Sequence, residues 1–80
     1  MVKLVNTQML EQMIADSGQK IAYLAHKCKL DRHSLYNKIN NKTEFTWPQV
    51  RVLCRELEIN QFDMVDAIFF YQEVSENGNK

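Results

Sequence analysis

Eighty residues, 45% apolar and 25% charged, with two Gly and one Pro, suit one compact domain and are too apolar for a disordered chain. Ten basic and ten acidic residues cancel, yet residues 20–42 hold Lys20, Lys27, Lys29, Arg32, Lys38 and Lys42 against Asp31 alone, between acidic flanks. No apolar run approaches the roughly 18 residues of a membrane span. The opening residues Met1-Val2-Lys3-Leu4 lack the long apolar stretch expected of a secretory signal, and Cys28 and Cys54 are too few for a disulfide scaffold. A cytoplasmic, reducing setting is expected, with no membrane contact.

The hydrophobic period is helical throughout, which predicts an all-α fold of five helices. Helix one should run from Asn6 or Thr7 to Ser17, with Met9, Leu10, Met13 and Ile14 on one face and Gly18 as a left-handed stop. Helix two should run from Gln19 or Lys20 to Cys28, burying Ile21, Leu24, Ala25 and Cys28 and turning Tyr23, His26 and Lys27 outward. Helix three should open on Asp31 as N-cap and end near Asn40. Only Leu35 and Ile39, one turn apart, anchor it; His33, Asn37 and Asn40 fall on the opposite side, flanked by Arg32, Ser34, Tyr36 and Asn41. Helix four has a capping box, Thr46 with Gln49, and a hydrophobic staple, Phe45 with Val50. Pro48 suits its first turn, and Trp47, Val50, Leu53, Cys54 and Leu57 form its expected core stripe. Helix five should run from Asn60 to about Tyr71, with an apolar arc wider than one packing contact needs. Residues 1–74 are read as the domain and 75–80 as a flexible tail.

A basic centre between acidic flanks suits a polyanion on one face, although a solvated face is the blander reading. Helices two and three, joined by about three residues, can cross near a right angle, with Leu30 plugging the corner. Helix three then stands clear of the fold, and such a helix fits the B-DNA major groove, about 12 Å wide.

The segment Leu24-Ala25-His26-Lys27-Cys28-Lys29-Leu30-Asp31-Arg32-His33-Ser34-Leu35-Tyr36-Asn37-Lys38-Ile39-Asn40 resembles the helix-turn-helix of the Cro/repressor (XRE-like) family. The variant it is most similar to occurs in small phage and prophage regulators of Gram-positive bacteria, which also carry an aromatic-led fourth helix and an Ile-Phe-Phe segment like Ile68-Phe69-Phe70. The resemblance spans roughly residues 7 to 74. It implies a lambda-repressor-like five-helix bundle, DNA binding by helix three, two-fold dimers on palindromic operators, and a bacterial or phage-host cytoplasm. The chain departs from the family at Lys29, where Gly is usual, and at Ile21, where a phosphate-touching Gln is common.

Arg32, His33, Tyr36, Asn37 and Asn40 are the candidates for base contacts, since Asn can pair with adenine and Arg with guanine in bidentate fashion. Lys20, Ser34, Lys38, Asn41, Lys42 and Thr43 are the candidates for phosphate contacts, which set register. Met64, Ile68, Phe70 and Tyr71 are the candidates for a homodimer interface, with folding back onto helix one as the alternative use of that arc. A metal or nucleophile built from His26, Cys28 and His33 is not expected, because the cysteine faces inward and the histidines outward. Neither an enzyme, a cofactor nor a small-molecule ligand is expected. The expected function is transcriptional regulation by operator occupancy; the alternative is a protein-interaction module, antitoxin- or adaptor-like, on the same fold.

Overall fold

Three polar side chains set where three helices begin. In the computed structural model, which describes residues 4–69, Asn6 caps α1 (Thr7–Ser17) by accepting from Met9 N at 3.2 Å. Asp31 caps α3 (Arg32–Ile39) by accepting from Ser34 N at 2.7 Å. Thr46 and Gln49 close a capping box on α4 (Trp47–Glu56): Gln49 N donates to Thr46 Oγ1 at 3.4 Å, and Thr46 N donates to Gln49 Oε1 at 3.0 Å. These oxygens satisfy first-turn amides that have no partner inside the helix. The remaining helices are α2 (Ile21–Lys27) and α5 (Phe62–Phe69), and no β-strand occurs among the described residues. The fold is all-helical, as the periodicity requires.

Four helix ends share one backbone device. Gly18, Lys29, Asn41 and Glu58 follow α1 to α4 with φ of 74°, 61°, 65° and 58°. Three of these ends form full Schellman turns. Leu30 N donates to Ala25 O and Lys29 N to His26 O; Lys42 N donates to Asn37 O and Asn41 N to Lys38 O; Ile59 N donates to Cys54 O and Glu58 N to Arg55 O. Each pair satisfies carbonyls that the helix leaves open. Left-handed backbone strains any residue with a Cβ, by about 1–2 kcal/mol. The connections demand that geometry whether or not a glycine stands there.

The core is one cluster drawn from every helix and from both flanking loops. Leu10, Leu24, Ala25, Leu35, Leu53 and Ile68 have no exposed surface, and Val5, Ile39, Phe45, Val50 and Phe69 have almost none. Phe45 and Phe69 meet edge to face, ring centres 5.9 Å apart at 84°, a favoured aromatic geometry. α3 packs on α2 through Leu35 and Ile39, its two buried side chains.

The structure corrects several expectations. Trp47 is 45% exposed, not part of the core stripe, because Phe45 fills the core at that end of α4 and Trp47 sits at the first, outermost turn. α5 starts one residue later than an Asn60 cap implies: Gln61 O accepts from Met64 N and Val65 N. Leu30 is half-buried at the core edge, so it closes the corner only partly. Arg55 Nε lies 3.8 Å from its neighbour Glu56, a long pairing in which only the arginine is well exposed. The expected tail, 75–80, and Phe70 and Tyr71 lie outside the described residues. Among the described residues, no helix is long and apolar enough to cross a membrane.

Candidate nucleic-acid interface

The surface of α3 follows from how little of it is buried. Leu35 and Ile39 face the core, while Arg32, His33, Tyr36 and Asn40 are exposed and Ser34, Asn37 and Lys38 are half-buried. The helix therefore brings all five candidate base-reading residues, Arg32, His33, Tyr36, Asn37 and Asn40, onto one short element. The side chains of Arg32, His33 and Asn37 make no hydrogen bond or ion pair among the described residues, so their donors remain available. Asn40 donates from Nδ2 to Tyr36 O at 2.9 Å and keeps its second N–H and its carbonyl. Tyr36 is 46% exposed and borders a cleft with Glu11, Ile14, Ala15, Ile21 and Ile39. Glu11 is thus a carboxylate at one edge of this surface.

The carboxylate at the start of the helix is already committed. Asp31 accepts from the Ser34 backbone and side chain, and these bonds hold its carboxyl below the usual range. It stabilises the helix terminus rather than opposing an anion in front of it.

The phosphate candidates divide into two groups. Lys20, Lys42 and Thr43 are exposed, Lys20 at the start of α2 and the other two just beyond α3. Ser34 is engaged with Asp31, and Lys38 Nζ donates to Glu44 O at 2.7 Å, which ties the α3–α4 connection to the helix. Asn41 is engaged by a different segment. Its Nδ2 donates to Val5 O at 3.0 Å and to Thr7 Oγ1 at 3.4 Å, and its Oδ1 accepts from Val5 N at 2.9 Å. Its carboxamide is thus engaged inside the domain through both its nitrogen and its oxygen. Asn41 is a structural pin whose sequence signal was its residue type: after glycine, Asn tolerates left-handed backbone best.

The start of α2 bonds to Glu56 of α4. Tyr23 donates its hydroxyl to Glu56 Oε1 at 2.9 Å, and that bond, ahead of desolvation, raises the phenol above its ordinary value. Gln19 Nε2 donates to Glu56 O at 3.1 Å. Lys27 Nζ stands 5.8 Å from the Tyr23 ring centre, within cation–π range.

Other chemistry is sparse among the described residues. Cys28 is buried and donates weakly to Gln49 O at 4.0 Å; Cys54 is half-buried. Burial is the main cause that raises both thiols above their ordinary value, the direction that disfavours a reactive thiolate. No group of three or more His, Cys, Asp or Glu residues is placed to hold a metal ion among the described residues. The dimer candidates are also redistributed. Ile68 is completely buried in the chain's own core, and Met64 is half-buried. The alternative use of the α5 arc, completion of the core, accounts for Ile68.

No protein-family model, curated protein or solved structure matches this chain.

Proposed function

We propose that this chain is a sequence-specific double-stranded DNA-binding regulator, with α2, the Lys29 turn and α3 acting as a helix-turn-helix of the Cro/repressor type. One observation carries the reading: α3 is held by two buried aliphatic residues and offers guanidinium, imidazole and amide groups on an otherwise uncovered face. That face lies in the segment with six basic residues and one acid, and the acid caps the helix. Arg32, His33, Asn37 and Asn40 read base edges; Lys20, Lys42 and Thr43 hold phosphates; Tyr36 packs at the edge of the groove. A homodimer belongs to this reading, because it sets two recognition helices about 34 Å apart, one turn of DNA. Operator occupancy, blocking polymerase, is the proposed mode of regulation.

Selection of bound sequences from a random duplex pool tests the reading. An enriched, palindromic site is expected, with affinity that falls steeply between low and moderate salt as counterions are released. Asn37→Ala should relax preference at one base pair, at about 1–3 kcal/mol. A pool that shows no enrichment, or binding insensitive to salt, overturns it and leaves a protein-interaction module as the better use of the fold.

A further inference from the structure

α3 is the proposed reading element, yet its buried side offers only two anchors. Its C-terminal end is held by something else. Thr7 Oγ1 donates to Ile39 O at 2.6 Å, satisfying a carbonyl in the last turn of α3. Asn41, just beyond, grips Val5 by both backbone groups, in the manner of a paired strand. Between these two residues, Asn6 N donates to Ile68 O at 2.8 Å, in the last turn of α5. Residues 5–7 therefore bond to the end of α3 on one side and the end of α5 on the other. Val5 is 2% exposed, so its backbone groups are buried and depend on the partner that Asn41 supplies.

We propose that residues 5–7 form a strap that fixes the attitude of α3 against α5, with Thr7 and Asn41 as positioning residues for DNA recognition. Neither residue touches DNA in this account. The inference rests on the DNA-binding reading for its functional consequence, and on five hydrogen bonds for its mechanics. A recognition helix must hold several donors in register with base edges at once, and a small tilt at its C-terminal end displaces Asn37 and Asn40 together. Because α5 is the element bonded to the other side of the strap, any partner that repacks the end of α5 acts on the reading helix through the same three residues.

Two substitutions test this in the full chain, at a temperature where each variant is fully folded by circular dichroism. Asn41→Gly keeps the left-handed backbone and removes the carboxamide; Thr7→Val removes the hydroxyl and keeps the shape. Each should weaken binding to the selected duplex at least tenfold and leave binding to a scrambled duplex unchanged. Thr7→Ser, which retains the donor, should restore specific binding. Equal losses on both duplexes in Asn41→Gly mean a phosphate contact and overturn the proposal, as does unchanged specific binding in both variants. Amide exchange gives a reading that needs no DNA: Asn41→Gly should speed exchange at Val5 and Asn6 at least tenfold, and unaltered exchange there overturns the strap. A wild-type chain that selects no duplex while exchange responds as expected refutes the DNA reading and leaves the strap standing.

Discussion

Two turns of nearly identical backbone bracket α3, and they use their side chains in opposite ways. Before the helix, Lys29 adopts φ 61° and its exposed side chain is held by no hydrogen bond or ion pair among the described residues; after it, Asn41 adopts φ 65° and its side chain holds Val5 and Thr7. Both turns complete the same pair of backbone bonds to the preceding helix. Chain connectivity sets the backbone form, and tertiary position decides whether the residue there does anything more. At Asn41 a neighbouring segment passes within reach of a carboxamide. At Lys29 the residue is exposed, and no hydrogen bond or ion pair of its side chain offsets the strain among the described residues.

The comparison breaks first at Asn41. Asn41→Ala leaves the buried Val5 N–H and C=O without partners and keeps the left-handed strain, and should cost about 3 kcal/mol in urea unfolding. A loss under about 1 kcal/mol would show that water replaces the carboxamide, and the contrast between the turns would vanish.

Gly18→Ala sharpens the backbone side of the argument. No heavy atom lies within 4 Å of the Cβ that would be added, and φ is 74°. The expected loss, about 1 kcal/mol, is then conformational alone. A neutral result in thermal unfolding would mean the turn relaxes freely.

Lys29→Gly and Glu58→Gly run the same experiment in reverse. Each should gain about 0.5–1 kcal/mol, relief of left-handed strain less the added freedom of the unfolded chain. Their melting temperatures should rise together by a few degrees. If Lys29→Gly alone also weakens duplex binding, the lysine earns its place as a phosphate contact; if neither does, both residues are tolerated only because the domain has stability to spare.

The smallest effect is expected at Asp31. Its carboxyl is held below the ordinary range, first by the Ser34 backbone N–H, so the ionised form favours the folded state. That contribution is fully present above the unfolded value, about pH 4, and is lost as pH falls through the lower folded value. Melting temperatures of the wild type and Asp31→Asn should therefore differ at neutral pH and converge in acid. A constant difference across that range would place the effect elsewhere.

Much of the helical framework could be read directly. Asn6, Asp31 and Thr46 with Gln49 cap the helices they were expected to cap, because a cap is a local bond between residues three apart. Leu24, Ala25, Cys28, Leu35 and Ile39 are buried as the helical period requires. Trp47 was misread, and the use of the α5 arc that holds Ile68 was left open, for a common reason. Periodicity names an apolar face but not what meets it: Phe45 fills the core beside Trp47, and the last turn of α5 meets Asn6, which draws Ile68 inside.

On the candidate interface the division is sharper. Residue type and a 100° step per residue were enough to gather Arg32, His33, Asn37 and Asn40 on the outer face of one helix, since that depends only on local geometry. Only the tertiary structure decided that Asn41 bonds to Val5, that Lys38 reaches Glu44, and that Tyr36 shares a cleft with Glu11. These contacts join residues whose proximity is created by packing. Asn41 and Val5 are 36 positions apart. A donor's chemistry is written in the chain, but whether it is already engaged depends on which distant segment folding brings beside it.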